Sequence, residues 1–325
     1  MRVGPVRPMV QSNHTWSPAK SCGVDAAASE ASPRDLMRGD PRGGLYVRTM
    51  RDVEVGVFGG SGLYELFDRV DQVEVDTPYG APSAPVAVSE VSTPRGPIGV
   101  AFLPRHGSDH DLPPHMIDYR ANVWALHSLG VRRVLAPCAS GSLQPNVHPG
   151  DIVVCDQLVD RTSGRPSTFF DGPTVNHVSF AEPYCGELRS IVYDQAVAAG
   201  ASVHRSGTVV VVEGPRFSTR AESSWYRQQG WHVINMTQYP EAALLRELGI
   251  CCCSIAVVTD YDAGVDERPE VGPVSQDDVY AAFAAAMPLT RQIIVDVLGA
   301  LPAERSCGCA GWTNGLEPDR HQYPD

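Results

Sequence analysis

The pattern of apolar and polar positions between residues 53 and 298 changes repeatedly between two periods. Short apolar runs rich in β-branched residues predict strands, and apolar residues three and four positions apart predict helices. The predicted strands are 53–58, 86–91, 98–103, 133–138, 152–158, 208–212, 231–234 and 251–259. The predicted helices are 63–67, 115–129, 187–199, one opened by the capping box at 219–222, 241–248 and 276–298. This alternation favours an α/β fold, a single domain with a mixed central β-sheet flanked by helices.

The two ends of the chain lack this periodicity. Residues 1–50 are rich in Pro, Ser, Gly and Arg, so we interpret them as disordered or as a mis-started extension upstream of Met50. Residues 51–301 form the predicted folded domain. Residues 302–325 are again rich in Gly, Pro and polar residues, which predicts a flexible C-terminal tail.

Charge and composition exclude several classes of function. The formal net charge is −12 over 325 residues, which disfavours a nucleic-acid-binding protein because such a protein needs a basic face. Lys20 is the only lysine, so the folded domain has neither a P-loop lysine nor a Schiff-base lysine. A phosphate group bound by this domain must therefore be held by arginine, hydroxyl groups and backbone N–H groups.

The nine cysteines indicate buried, reduced thiols rather than disulfides. Cys251, Cys252 and Cys253 are consecutive in an apolar run, as expected of a buried strand. Cys307 and Cys309 lie in the predicted tail, and no second Cys or His pair follows at zinc-finger spacing, so no metal is expected. The chain has no run of eighteen apolar residues and no apolar leader, so we expect a cytoplasmic protein without a membrane span.

Four loops directly after predicted strands carry the candidate chemistry, because ligands of α/β sheets bind beyond strand ends. Glycines and small residues let backbone N–H groups face an anion, arginine clamps phosphate, and paired carboxylates handle protons. Taken alone, each loop also has a purely structural interpretation: an ordinary turn, a surface arginine with a hydrogen-bonded histidine, or a helix cap. Together they predict a phosphate cradle beside an acid. The loops are 59–62, 104–107, 138–142 and 259–262.

Seven motifs in order sharpen this interpretation. With these motifs, which span roughly residues 53 to 298, the chain resembles the methylthioadenosine phosphorylase branch of the trimeric purine nucleoside phosphorylases. The motifs are 55–62, Arg105-His106-Gly107, 141–143 with 149–151, Asp160-Arg161-Thr162, 213–218, 234–237 and 259–262. An alternative interpretation of Asp160-Arg161-Thr162 is a structural ion pair near an interface rather than a catalytic role.

The resemblance implies roles for individual residues. Phosphate would be held by Ser61, Arg105, His106, Cys138, Ala139 and Thr237, with Cys138 serving through its backbone because its position is often Thr in the family. The nucleoside would be bound by Phe217, Ser218, Met236, Asp260, Asp262 and, in a neighbouring subunit, His177. Asp260 and Asp262 would be the catalytic pair. Without the motif, Phe217 and Met236 would be interpreted as core residues.

The implied reaction is phosphorolysis of S-methyl-5′-thioadenosine to adenine and 5-methylthioribose 1-phosphate, with Asp260 assisting departure of the purine at N7. Inorganic phosphate is a co-substrate, and neither a metal nor an organic cofactor is expected. Family members that act on 6-oxopurines carry Glu and Asn where Ser218 and Asp260 stand here, so a 6-aminopurine is favoured. A slot for the methylthio group is expected near residues 265–274.

Three alternatives remain at this point. The first is a methylthioinosine or broad 6-oxopurine phosphorylase, the second a non-catalytic nucleoside-binding protein, and the third a hydrolase. The resemblance also implies a homotrimer, or a dimer of trimers, in purine and methionine salvage.

Overall fold

The computed structural model describes residues 53–59, 70–263, 274–313 and 315–318. These residues belong to one compact unit, Thr49–Asp325. The expectations for residues 1–50 and for helix 63–67 lie outside the described residues.

A mixed β-sheet with helices on both faces forms the domain, as the periodicity predicts. The strands are β1 (Val53–Gly59), β2 (Asp71–Val73), β3 (Val86–Thr93), β4 (Gly96–Pro104), β5 (Arg133–Ser142), β6 (Ile152–Val154), β7 (Gln157–Arg161), β8 (Val203–His204), β9 (Thr208–Val212), β10 (Val233–Asn235) and β11 (Cys251–Asp260). The helices are α1 (Tyr119–Ser128), α2 (Gly186–Ala198), α3 (Arg220–Gln228), α4 (Gln238–Glu247) and α5 (Gln276–Ala300).

Strand β5 is the branch point of the sheet. The main path of the sheet is β2-β3-β4-β1-β5-β10-β9-β7, and β11 leaves it from β5 towards β6 and β8. Strands β4, β1, β5 and β11 run parallel to one another, so their carboxyl ends meet at one edge. Strand β10 runs antiparallel to β5. Its residues Val233 and Ile234 pair with Ser142 and Gly141, the last two residues of β5, so β10 lies at the same edge.

Two apolar layers hold the helices on the sheet. Helices α1 and α4 pack on one face, around the buried side chains of Phe58, Leu126 and Leu244. Helices α2 and α5 pack on the other face, with Phe102 and Ile293 among the buried residues. Burial of such side chains is the main favourable contribution to folding.

Helix α5 has the length and apolar composition of a membrane-spanning helix. It nevertheless packs Met287, Ile293, Ile294 and Val297 into the core, as a core helix of a globular domain does. This packing agrees with the prediction of a helix of the folded domain at 276–298.

The structure corrects two predicted boundaries. The predicted helix 115–129 is a short 3-10 turn, Pro114–Met116, followed by α1, because Asp118 caps α1 and accepts a hydrogen bond from the Ala121 N–H at 2.9 Å. The predicted strand 152–158 is divided into β6 and β7. The division falls at Asp156, which exchanges hydrogen bonds with Gly207, so the chain passes from β11 to β9.

The prediction of a flexible tail from residue 302 onward is wrong for the part that the structure describes. Cys309 is 1% exposed and opens a 3-10 turn, Cys309–Thr313. The Glu187 carboxylate accepts hydrogen bonds from the N–H groups of Ser306 and Cys307, and Leu316 packs against the core. The polar composition of this segment gave no indication that it packs on the domain, because backbone groups and a few apolar side chains make the contacts.

Candidate active site

The edge where β4, β5, β10 and β11 end encloses a cavity of about 300 Å³. Its walls contain most of the residues that the sequence predicts for ligand binding. Those among the described residues are Arg105, His106, Cys138, Ala139, Phe217, Ser218, Met236, Thr237, Asp260 and Asp262. The structure therefore brings together three of the four predicted loops, from positions far apart in the chain.

Arg105, directly after β4, lies at the floor of this cavity and is already paired. Its Nε and Nη2 atoms donate to the two carboxylate oxygens of Glu241, each at 2.9 Å, and Nη1 donates to the Pro137 carbonyl at 3.0 Å. Burial opposes the charge, but the adjacent Glu241 carboxylate outweighs it and raises the pKa of Arg105. A guanidinium has five N–H donors, so two remain for an anion. The bidentate face itself belongs to Glu241, not to phosphate.

His106 is a neutral imidazole with a defined tautomer. Its Nδ1 lies 2.9 Å from the Leu112 carbonyl, which can only accept, so Nδ1 carries the proton. Burial, with the nearby Arg105 and His110 charges, lowers the pKa of His106 to about 4. Nε2 therefore presents a lone pair at neutral pH. In this state Nε2 can only accept a hydrogen bond, so His106 is suited to the proton of a monoprotonated phosphate.

Thr237 and Cys138 differ in what they offer to a ligand. Thr237 is the N-cap residue of α4, yet its hydroxyl caps no N–H of that helix. The Cys138 thiol is buried and accepts from the Asn235 side-chain amide at 3.2 Å, and burial raises its pKa. Cys138 is therefore an uncharged internal thiol, in line with a role through its backbone.

Asp260 is the last residue of β11, and the residue is partly buried. It accepts from the Thr259 hydroxyl and from the Asp262 N–H, each at 2.7 Å. Burial, with the nearby Asp262 charge, raises the pKa of Asp260 to about 6 against these hydrogen bonds. Such a carboxyl group holds a proton at a pH where ordinary aspartates have lost it, as an acid that protonates a leaving group must.

Asp262 completes the acid pair in an unusual backbone conformation. Its φ is +47°, in the left-handed region, and the residue is 4% exposed. Burial raises its pKa, with the Ser223 and Ser218 hydroxyls opposing the shift. These hydroxyls lie close to the carboxyl, but neither Asp262 Oδ2 nor Ser218 Oγ makes a hydrogen bond of ordinary geometry to another described residue, although both atoms are buried. Buried polar atoms in this state favour a ligand with matching polar groups.

Gly141 leaves room for the acid pair. A Cβ at this position would lie 2.9 Å from Asp260 Oδ1 and 3.1 Å from the Asp262 Cβ. The glycine of the third predicted loop thus allows the acid pair to approach β5 closely, in addition to the small-residue character that the sequence indicates.

Phe217 and Met236 lie in the cavity wall and are not core residues. Phe217 is 37% exposed, at the rim. The Met236 carbonyl accepts from Arg165 Nη1 at 2.9 Å and lies 3.5 Å from the Tyr119 hydroxyl. This carbonyl is therefore occupied, and a backbone hydrogen bond from Met236 to a ribose would have to come from its N–H.

Several predicted residues are outside this cavity. His177 is exposed and absent from its walls. Ser61 and residues 264–273, which cover most of the expected methylthio slot, lie outside the described residues. Neither Asp160 nor Arg161 forms an ion pair with another residue that the structure describes: Asp160 accepts from the Thr162 hydroxyl at 2.7 Å, and Arg161 lies over the Trp225 ring.

The sequence interpretation missed several residues of the site. Glu241 was placed only in a helix, and no local signal links it to Arg105, 136 positions earlier. His110 stacks on His106 with ring centroids 4.5 Å apart and contacts Tyr280 of α5 at 5.4 Å. Phe283, one helical turn further along α5, also lines the cavity. A helix that is amphipathic towards the core gives no sign that its first turns cover a ligand site.

A buried arginine and a carboxyl pair with raised pKa values line one cavity at the strand ends of a mixed α/β sheet, which is the arrangement expected of an enzyme that binds an anion beside an acid. The comparison with protein families agrees, since residues 54–298 match the family described as the phosphorylase superfamily. The chain belongs to the phosphorylase superfamily.

Two relatives at similar identity carry different names. The purine nucleoside phosphorylase of Streptomyces coelicolor is 50% identical over 275 residues, 82% of this chain and 96% of its own length. The S-methyl-5′-thioadenosine phosphorylase of Mycolicibacterium smegmatis is 52% identical over 255 residues, 78% of this chain and 93% of its own.

Solved structures show the same fold. The methylthioadenosine phosphorylase of Schistosoma mansoni in complex with adenine superposes with a TM-score of 0.72 at 36% identity, covering 78% of this chain and 93% of that one. A methylthioadenosine phosphorylase from an Antarctic soil metagenomic library gives 0.73 at 37% identity, covering 81% and 91%. The expected fold is thereby confirmed.

Proposed function

We propose that this enzyme cleaves S-methyl-5′-thioadenosine with inorganic phosphate, giving adenine and 5-methylthioribose 1-phosphate. A phosphate oxygen forms a bond to C1′ as the bond from C1′ to N9 breaks. The electron pair of the broken bond passes to the purine, and Asp260 delivers a proton to N7. Phosphate is the co-substrate, and the reaction uses neither a metal nor an organic cofactor.

The phosphate end of the cavity supports the first half of this reaction. The two remaining N–H groups of Arg105 and the hydroxyl of Thr237 are donors for phosphate oxygens. His106 Nε2 accepts a hydrogen bond from the protonated oxygen of the phosphate. The bound anion then stabilises the positive charge that develops on the ribosyl carbon.

The preference for one purine base is determined at the purine end of the cavity. The observation that supports adenine is the pair Asp260 and Asp262. Asp260 has a raised pKa, and Asp262 has a buried oxygen that makes no hydrogen bond of ordinary geometry to another described residue. An adenine N6 amino group is a donor that satisfies such an oxygen, whereas the O6 of a 6-oxopurine would place acceptor against acceptor.

The 5′-methylthio group fits the apolar wall made by Leu112, Pro113, Val279 and Phe283. These side chains offer no partner to a 5′-hydroxyl, so methylthioadenosine is favoured over adenosine. Residues 264–273 remain the further candidate lining given by the sequence.

A neighbouring subunit completes the site in this proposal. Phe217 is exposed at the cavity rim, and His177 projects from an exposed segment of the same chain, so each is available to a second copy. We propose a homotrimer, or a dimer of trimers, that acts in cytoplasmic purine and methionine salvage.

Base release from three nucleosides, with and without phosphate, tests the proposal. Purified enzyme is incubated with methylthioadenosine, adenosine or methylthioinosine, and the free base and the sugar phosphate are quantified by chromatography. We expect phosphate-dependent release of adenine, fastest from methylthioadenosine. Faster cleavage of methylthioinosine supports a 6-oxopurine phosphorylase instead. Release that persists without phosphate identifies a hydrolase, and binding without release identifies a non-catalytic nucleoside-binding protein.

A further inference from the structure

Four cysteine thiols meet at the amino-terminal end of β11, far from the cavity. They are Cys185, Cys251, Cys307 and Cys309, whose Sγ atoms all lie within 4.8 Å of one another. All four are free thiols, three of them buried and Cys307 half-buried. The expectation of no metal rested on local spacing around Cys307 and Cys309, whereas the other two thiols come from positions 122 and 56 residues before Cys307.

We propose that these four cysteines bind one Zn²⁺ ion. A tetrahedral zinc site with Zn–S bonds of about 2.3 Å has sulfur atoms about 3.8 Å apart. The Cys251 and Cys307 sulfur atoms are 3.4 Å apart, and all of the sulfur separations in the cluster are at most 4.8 Å, which is close to that value. Four soft thiolate ligands select zinc over magnesium or calcium.

Backbone and side-chain hydrogen bonds hold the ligands in place independently of an ion. The Cys185 N–H donates to the Cys252 carbonyl at 2.9 Å, which ties the start of α2 to β11. Glu187 accepts from the Cys307 N–H at 3.0 Å, and Arg305 donates to the Gly249 carbonyl at 2.9 Å. These bonds position the Cys307-Gly308-Cys309 segment against the first residue of β11.

The surroundings compensate for the charge of a zinc ion with four thiolates, which is −2. The Cys185 side chain caps α2, whose N-terminus carries a partial positive charge, and lies 3.5 Å from the Leu188 N–H. Arg305 Nη1 lies 3.7 Å from Cys251 Sγ. Arg246 lies within electrostatic range of Cys309 and Cys185, with its guanidinium over the Trp312 ring.

The site is structural in this proposal. Four protein ligands close the coordination sphere and leave no position for a substrate. Cys251 begins β11 and Asp260 ends it, and a strand of ten residues is about 30 Å long. The ion would fasten the C-terminal segment and α2 to the sheet without taking part in phosphorolysis, so this inference is independent of the proposed function.

Metal content of the full-length protein, purified under reducing conditions with zinc in the medium, tests the proposal. Mass spectrometry of the metals should give one zinc per chain, and X-ray absorption should show four sulfur neighbours at about 2.3 Å. Cobalt substitution should produce the intense sulfur-to-cobalt charge-transfer bands of a tetrahedral thiolate site.

Variants separate this site from the other buried thiols. Cys307→Ser and Cys309→Ser should each lose most of the zinc, while Cys155→Ala, at a buried thiol outside the cluster, should keep it. If the serine variants do not fold, the zinc content and sulfur coordination of the native chain still decide. Two disulfides, seen as a mass 4 Da lower than the reduced chain, or four free thiols without metal would each overturn the proposal.

Discussion

Arg105 and Glu241 form a bidentate ion pair, with both bonds at 2.9 Å, at the floor of the cavity. The arginine follows β4 and the glutamate lies in the first turn of α4, so the pair connects two elements across the site. The pair fixes the orientation of the Arg105 guanidinium. The N–H groups that do not bond to Glu241 or to the Pro137 carbonyl are then available to an anion.

Glu241→Gln should weaken phosphate binding because it releases Arg105 from this orientation. We expect the KM for phosphate to rise about 10-fold to 100-fold while the KM for the nucleoside changes little. The protein should also be less stable by about 3 kcal/mol, because a buried arginine loses its counter-charge. Steady-state kinetics at varied phosphate and thermal denaturation measure the two effects.

Glu247→Gln is the matched control for this experiment. Glu247 is a second buried glutamate of α4, and it accepts from Thr168 and Phe169 outside the cavity. An equal rise of the phosphate KM in both variants would contradict the positioning role of Glu241.

The neutral tautomer of His106 gives a second prediction. The ¹⁵N shifts of His106 should report a proton on Nδ1 at pH 7, and its pKa should be near 4. Because this pKa lies below that of the unfolded chain, His106 favours folding above pH 6.5, and that contribution is lost as the pH falls towards 4.

Two amide variants of His106 distinguish its two nitrogens. His106→Asn places its amide near the Nδ1 position, and His106→Gln extends to the Nε2 position. We expect the glutamine variant to retain more phosphate affinity, since Nε2 is the nitrogen that contacts phosphate in the proposed site. Equal losses in both variants, or an imidazolium at pH 7 in the free enzyme, would count against this assignment.

The raised pKa of Asp260 predicts a pH dependence with a defined sign. Protonated Asp260 is the active acid, so kcat/KM for methylthioadenosine, divided by that of Asp260→Asn, should fall above about pH 6. The ratio removes the ionisation of phosphate, which affects both enzymes. A ratio that stays constant from pH 5 to 9 would show that proton transfer from Asp260 is not part of the reaction.

The same group affects stability in the opposite direction to His106. The folded protein keeps the Asp260 proton up to about pH 6, whereas the unfolded chain releases it near 3.8. The free energy of unfolding should therefore decrease between these values as the pH rises. Asp260→Asn should remove this part of the pH dependence, which denaturant titrations of both proteins can measure.

Gly141→Ala should damage the purine end of the cavity selectively. The added Cβ would lie 2.9 Å from Asp260 Oδ1, so the acid pair must shift. We expect a higher nucleoside KM, a nearly unchanged phosphate KM and a loss of about 1–3 kcal/mol in stability. Gly299→Ala in α5, where the added Cβ meets only Pro94 at 3.6 Å, is the control and should behave like the native enzyme. A uniform loss of affinity for both substrates would argue against a local effect.

Periodicity predicts the elements well where a strand or helix has a strong apolar pattern. Strands β1, β9 and β11 and helix α2 lie within about two residues of their predicted bounds. The division of the predicted strand 152–158 was missed because it depends on a change of pairing partner, which leaves no mark on periodicity.

The candidate site shows the same limit. Loops after strands revealed Arg105, His106 and Asp260, because strand ends of a parallel sheet meet at one edge. Glu241 and the four-cysteine cluster were not predicted, since their partners are distant in the chain and only folding brings them together.

The central claim is that the Asp260–Asp262 pair provides the proton and the recognition for a 6-aminopurine, and the substrate preference of Asp260→Asn tests it most directly. The measurement is kcat/KM for methylthioadenosine and for methylthioinosine, in the native enzyme and in the variant, at saturating phosphate. We predict that the native enzyme prefers methylthioadenosine, and that the variant loses about 10²-fold to 10⁴-fold on this substrate and reverses its preference. A variant that keeps the native rate on methylthioadenosine and the native order of substrates would contradict the account.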